Sequence, residues 1–230
     1  MTNDRIWLAA EYHFPSTYSI RIPGSSMANA KALPAPGPAT VRLALIRTGI
    51  ELFGISKVEH DLFPVIRSAE IRISPPERIA FSTQVLKTYK AVMNKSRKIQ
   101  YQESISYREF AQANGNMTVF IAIPEEMKTH FVQLFYGIGY WGQANSFATC
   151  VNILCKQPDM NSVGLPLDEI TKTISDQYSS FVSEFRSADL SWKSILPEND
   201  EGNPLKSFIY AWPLKISERR QGKMLLLRLS

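Results

Sequence analysis

Two periodicities alternate along the first two thirds of this chain, and their order narrows the fold to a small set. Residues 5–14 place Ile6, Leu8, Ala10, Tyr12 and Phe14 on one side and Arg5, Glu11 and His13 on the other, the period-two pattern of a strand. From Pro38 onward Val41, Ala44, Leu45, Thr48 and Leu52 recur at helical spacing, with Arg42, Arg47 and Glu51 off the stripe. Proline suits the first helical position, where its missing N–H had no partner, and Gly54 supplies a stop. Residues 66–73 alternate again, Ala69, Ile71 and Ile73 against Ser68, Glu70 and Arg72, and Pro75-Pro76 ends the run. Residues 117–123 form a third strand with Met117, Val119, Ile121 and Ile123 inward. Pro124-Glu125-Glu126 opens a second helix, with acids at its positive end; Met127, Phe131, Leu134 and Phe135 are its inner stripe, and Gly137 or Gly139 ends it. Residues 146–155 make a fourth strand with Phe147, Val151 and Ile153 on one face.

The order strand, helix, strand, strand, helix, strand predicts an α+β fold. Its palm is a ferredoxin-like (RRM-like) βαββαβ unit, an antiparallel four-stranded sheet with two helices on one side. RNA-recognition modules share this topology and bind single strands on the sheet or its loops, although topology alone assigns no function. Residues 23–38 hold four prolines, two glycines and two serines and predict a long loop. Residues 1–155 are expected to form the palm, and residues 156–230 a C-terminal extension. In the extension, Ile170, Ile174, Tyr178 and Phe181 predict a helix over 170–185, and 197–204 a polar loop. Two apolar segments, 207–216 and 223–229, predict a hairpin turning at Ser217–Gly222.

Composition removes several classes. Hydrophobic residues make up 44% of the 230, enough for a core, which excludes disorder as the overall state. No apolar run approaches the roughly 20 residues a membrane helix needs. The opening Met1-Thr2-Asn3-Asp4-Arg5 lacks the basic-then-apolar pattern of a secretory signal, so a cytoplasmic protein is expected. Cys150 and Cys155 stand five apart on a strand, on opposite faces, and read as two buried thiols rather than a disulfide or a metal site. With no Gly-rich phosphate loop, metal-ligand cluster or nucleophile elbow, no cofactor is expected.

The net charge of +5 is less informative than its distribution. Between the second and third strands lie about 43 residues, 74–116, where a plain version of this fold needs a short turn. From Lys87 to Arg108 this insertion carries Lys87, Lys90, Lys95, Arg97, Lys98 and Arg108 against the single acid Glu103, with Tyr89, Tyr101 and Tyr107 interleaved. That surplus equals the net charge of the whole chain. Cations neutralise phosphates and aromatic rings offer stacking surfaces to unpaired bases, so the segment reads as a basic thumb that positions a nucleic acid backbone. Residues 77–116 show no clear periodicity.

Four stretches resemble the Cas-five family of the repeat-associated (RAMP) superfamily of CRISPR proteins. They are the Ile6–Phe14 strand with the Leu33-Pro34-Ala35-Pro36-Gly37-Pro38-Ala39-Thr40 turn into the helix; the Ile71–Glu77 run feeding the basic segment; the Tyr136–Phe147 aromatic-glycine turn; and the C-terminal hairpin with Gly222. The resemblance implies a subunit of a type I CRISPR effector (Cascade) that grips the 5′ handle of the crRNA. Its thumb, here Ser74–Asn116, would reach the adjacent backbone RAMP subunit. It would also contact the large subunit and meet target DNA only indirectly, with no membrane partner. Candidate RNA-binding residues are Arg21, Arg42, Arg47, Lys87, Tyr89, Lys90, Lys95, Arg97, Lys98, Tyr101, Arg108, Asn145 and Ser146.

One branch of that family cleaves precursor CRISPR RNA with a Tyr/Lys/His-type site on the palm, and RNA cleavage needs a base near the 2′-hydroxyl and an acid near the leaving oxygen. His13, with Tyr12 and Lys31, is the candidate set here. His60 falls in a loop after the first helix, and His130 on a helix beside Lys128 reads as solvated. The expectation is a non-catalytic subunit. The alternatives are an endoribonuclease of the same fold, a type III RAMP subunit, and an unrelated interaction module whose basic loop serves only solubility.

Overall fold

The computed structural model describes residues 5–22, 29–93, 99–142, 144–170, 180–185, 190–195, 207–220 and 224–229. In chain order its main elements are β1 (Arg5–His13), α1 (Pro38–Phe53), β2 (Glu70–Ser74), β3 (Arg78–Met93), β4 (Ile99–Asn114), β5 (Met117–Pro124), α2 (Lys128–Gly137), β6 (Thr149–Cys155), β7 (Ser180–Phe185), β8 (Ser207–Trp212), β9 (Leu214–Arg220) and β10 (Met224–Leu229). The fold is mixed α/β with antiparallel sheets.

One sheet has the order β2-β5-β1-β6, every neighbouring pair antiparallel. Its inner face follows the period-two pattern: Leu8, Ala10 and Tyr12 of β1, Ile71 and Ile73 of β2, and Met117, Val119, Ile121 and Ile123 of β5 are all buried. Both helices close that face with Val41, Ala44, Leu45 and Thr48 from α1 and Phe131, Leu134 and Phe135 from α2. Where they cross, Gly137 stands so close that a Cβ there would meet Thr48 Cγ2 at 2.6 Å. Helix α1 begins with Pro38 and stops at Gly54, whose φ of 84° only glycine adopts readily and whose N–H reaches Ile50 O at 3.0 Å. No helix among the described residues is long and apolar enough to cross a membrane.

The opposite face of this sheet is covered as well. Ala9 and Phe120 pack under Val163, Leu165 and Ala211, brought over by β8, which lies between residues 165–166 and β7. Arg72, 8% exposed, binds Glu70 at 2.8 Å and Glu169 at 2.7 Å and so fastens the 167–169 turn across that face. Leu190, Tyr210, Trp212, Leu214 and Leu227 join the main core.

The second large sheet contains the insertion. Strands β3 and β4, 16 residues each, pair without interruption from Arg78–Asn114 to Met93–Ile99, a ribbon about 50 Å long at the usual rise per residue. At its base β10 pairs with residues 78–82 and β9 pairs with β10. Tyr18 and Ala111 exchange two 2.8 Å backbone bonds, and Asn29–Ala30 lie parallel to Tyr107–Arg108.

Several expectations are corrected. Residues 77–116 are regular, a long hairpin. Residues 66–68 belong to a helix, Phe63–Ser68, which follows a π-helical turn Val58–Leu62 that contains His60, so His60 is helical and not in a loop. Arg42 and Arg72 are buried. Val151 and Phe147 are exposed, because a bulge beside β1 at Glu11/Tyr12 shifts the parity of β6 and turns Cys150 and Ile153 inward. Both thiols are free, Cys150 half-buried and Cys155 exposed on the edge strand. Ser180–Phe185 is a strand, not the end of a helix; 171–179 and the 197–204 loop lie outside the described residues. Ser217–Arg220 continue β9, so the C-terminal turn is shorter than predicted, and Gly222 lies outside the described residues.

Candidate nucleic-acid interface

The hairpin's register sorts its side chains into two sets, because directly opposed residues share a face and neighbours alternate. One set runs outward from Ile79, Phe81 and Ala111, which are buried in the core, to Val85, Tyr89 and Met93 on β3 and Ile99, Tyr101, Ile105 and Tyr107 on β4. All seven outer residues are exposed. The same set carries Glu109 near the root and, farther out, the two charged residues Lys87 and Glu103. Lys87 and Glu103 pair at 2.9 Å, and Tyr89 Oη donates to the same Glu103 carboxylate at 3.2 Å. The other set holds Gln84, Leu86, Val92, Gln100, Gln102, Ser104, Ser106 and Arg108, and the backbone places Lys90 in it opposite Gln102. Of the described cations, Lys87 therefore shares the tyrosines' face, and Arg108 belongs to the other set. The tyrosines share that face with aliphatic residues, and Lys87 already has an acid. Lys95, Arg97 and Lys98 fall in the sequence between Met93 and Ile99, outside the described residues.

At the hairpin base the topology gathers basic residues that are far apart in sequence. Arg21 bridges Ala32, Ile22 N–H donates to Lys31 O at 2.9 Å, and the adjacent Ala30 lies beside Arg108. Arg21 and Lys31 are exposed on this edge. The nearby acid is engaged with backbone, since Glu109 Oε2 accepts from Ala32 N–H at 3.0 Å.

Other candidates serve the fold. Arg42 donates to Ile66 O at 3.3 Å and Ala69 O at 2.7 Å, tying α1 to the entry of β2, and at 7% exposed it offers no surface to RNA. Arg47 lies 3.7 Å over the Tyr140 ring, donates to Tyr140 O at 3.4 Å and faces Glu51 at 3.8 Å. It clamps the aromatic-glycine turn onto α1. Within that turn Gly142 has φ 69°, Trp141 is buried edge-on against Tyr12, and Ala148 N–H returns to Gly139 O. Asn145 is exposed there, but Ser146 is wholly buried and accepts from Ser19 N–H at 3.2 Å.

The histidine set does not assemble as expected. Tyr12 is buried and donates to Phe135 O at 2.7 Å. Burial first, and then the neighbouring Cys150, push its hydroxyl well above the usual tyrosine range. His13, the next residue, is exposed at the end of β1 opposite Thr149. The two point to opposite sides of the sheet, so Tyr12 is not a partner for chemistry at His13. His60 Nδ1 lies 2.8 Å from Ser56 O, and His130 packs edge-on to Phe53, half-buried rather than solvated. Among the described residues no group of three or more His, Cys, Asp or Glu side chains is placed to hold a metal ion.

Sequence reasoning located the cations but not their sidedness. It also missed the base edge, because Arg21, Lys31 and Arg108 meet only through backbone pairing between distant segments.

No family model matches the chain. A curated relative from Archaeoglobus fulgidus, the CRISPR-associated protein Cas5, is 27% identical over 173 residues, covering 74% of this chain and 75% of the relative. Among solved structures, a chain of the type III-B Cmr-beta complex bound to cognate target RNA aligns with a TM-score of 0.50 at 10% identity, over 65% of this chain and 60% of that one. A crystal structure of a CRISPR protein from Archaeoglobus fulgidus gives a TM-score of 0.49 at 10% identity over 98% and 92%. At such identities the structural likeness bears on fold alone.

Proposed function

Because this chain is a homologue of a CRISPR-associated Cas5 protein, we propose that it is an RNA-holding subunit of a CRISPR effector complex, without catalysis of its own. The similarity over 173 residues carries the reading. The concentration of positive charge in the hairpin supports it. In this reading the β2-β5-β1-β6 sheet with its two helices is a ferredoxin-like palm, and the complex is of type I. The chain holds the 5′ handle of the crRNA and joins the backbone and large subunits. The RNA path runs along the basic base edge, Arg21, Lys31 and Arg108, and takes in the cation-rich stretch of sequence from Lys90 to Lys98. The outer face of the palm sheet is not the path, since Val163, Leu165 and Ala211 occupy its centre. A general acid must face its substrate, and Tyr12 faces the core.

The test is binding of the purified chain to a guide RNA carrying its 5′ repeat handle, across a salt series, against a variant with Lys90, Lys95, Arg97 and Lys98 all changed to alanine. Wild type should bind with a steep salt dependence. The variant should bind more weakly, with a log–log slope shallower by about 0.7 for each phosphate that the variant no longer neutralises. Equal affinity and slope in both would remove these four cations from the RNA path. Cleavage of the RNA that His13→Ala abolishes would overturn the non-catalytic reading.

A further inference from the structure

We infer that the outer edge of β6 is a docking site for an extended, uncharged segment of another polypeptide, which adds to the β2-β5-β1-β6 sheet as one more strand. This goes beyond the RNA-binding reading and does not depend on it. β6 ends that sheet, and among the described residues nothing pairs with its far side. Lys156, just past the strand, donates its N–H to Trp7 O at 3.1 Å, the next step in the register that sets Leu8 opposite Cys155. Bonded and non-bonded pairs alternate along an antiparallel ladder. Leu154 with Ala9 and Asn152 with Glu11 are therefore bonded pairs. Ile153 and Cys155, opposite Ala10 and Leu8, turn their N–H and C=O groups away from β1. Two donors and two acceptors at alternate residues match the backbone of one more extended strand.

The composition of this edge sets it apart within the same molecule. Proteins defend open edges with charged side chains, proline or cover, and two other edge strands here do so. β9 carries exposed Lys215 and Glu218. β2 carries Glu70 and Arg72, and it is also covered, since Gly164 N–H donates to Ile73 O at 2.8 Å. β6 reads Thr-Cys-Val-Asn-Ile-Leu-Cys, with no charge and no proline. The bulge opposite Glu11/Tyr12 disturbs only its first half, so Asn152–Cys155 is the regular stretch. On one face of that stretch Leu154 is 45% exposed beside Ala9; on the other, Ile153 packs against the main core. An added strand meets apolar side chains above and below, so its own residues must be apolar on both faces. With no cation in Thr149–Cys155, the edge offers nothing to a phosphate.

The test is amide hydrogen exchange of the full chain, read by NMR, alone and with a capped synthetic peptide of alternating valine and threonine at up to about 1 mM. The amides of Ile153 and Cys155 should exchange fast in the free chain and slow by about tenfold or more with peptide. Those of Asn152 and Leu154, already bonded to β1, should change little. Cys155→Pro removes one outward donor and no bond to β1, so the fold should be kept. It should weaken peptide binding about tenfold, the loss of one backbone hydrogen bond and a steric block, while Cys155→Ser should bind as wild type. No slowing at Ile153 and Cys155, or equal peptide affinity in Cys155→Pro, overturns the inference. So does a wild type that sediments as a dimer and that Cys155→Pro makes monomeric, because a second copy is then the occupant. The exchange pattern needs no variant, and it decides the matter if Cys155→Pro unfolds.

Discussion

Tyr12 shows how one position can be read correctly and assigned wrongly. Its apolar ring belongs to the inner stripe of β1, as the alternation predicts, and that placement removes its hydroxyl from any surface chemistry. The hydroxyl satisfies the Phe135 carbonyl near the end of α2. Tyr12→Phe should lower stability by about 1 kcal/mol, the net worth of a buried hydrogen bond, read as a small fall in Tm. The pH dependence follows from its raised titration point. Folded Tyr12 stays protonated where the unfolded chain ionises, from near pH 10 upward. The unfolded state then binds fewer protons, so stability is fully present below that pH and declines above it. Tyr18, raised by complete burial, adds to the same decline. A Tm profile from pH 8 to 11 should fall more steeply in wild type than in a Tyr12→Phe, Tyr18→Phe double variant; parallel profiles would contradict the assignment. Arg42, Arg72 and Ser146 make the same point. Each is polar in the sequence, and each is buried because it binds main-chain or carboxylate groups from distant segments.

At the scale of elements, the α1–α2 crossing rests on a missing side chain. A methyl at Gly137 would meet Thr48 Cγ2 at 2.6 Å and Leu52 Cδ1 at 3.2 Å. Thr48 is β-branched and stiff in a helix, so the helices themselves would have to part. Gly137→Ala should cost about 1–3 kcal/mol despite alanine's better helix propensity, and a double variant with Thr48→Ser should recover part of the loss in thermal melts. The helices and the β1, β2 and β5 strands were legible because a buried face imposes its period on the residues. The hairpin was not. Its root is buried on one face, its outer half is exposed on both, and no single pattern runs through 16 residues of each strand. The Phe63–Ser68 helix and the Ser180–Phe185 strand run against the sequence pattern for a related reason: short segments carry too few repeats to separate a period of 3.6 from one of 2.

The whole molecule is joined by its C-terminal third. Trp212 is fully buried, packs edge-on to Tyr210 at 5.1 Å, and sits in the same core as Leu8 and Phe131. Gly164, whose added Cβ would meet the Tyr210 ring, donates its N–H to Ile73 O and accepts from Tyr210 Oη, locking the extension onto β2. Trp212→Ala should therefore cost about 3–5 kcal/mol and lower Tm by on the order of 10 °C in one cooperative transition. A separate early transition, with the rest of the chain melting as wild type, would show the extension folding on its own.

By itself the sequence determined the sheet-and-helix core, because burial on one face writes a period into the chain. It also determined that the positive charge is concentrated in one insertion, because composition needs no coordinates. Tertiary structure alone decided which cations are tied to carbonyls or acids and which face outward. It decided that the tyrosines and Arg108 belong to opposite register sets of one ribbon, and that Arg21, Lys31 and Arg108 share an edge. Those facts depend on pairing between segments far apart in the chain, and no local pattern of residues records which distant strand will supply the partner.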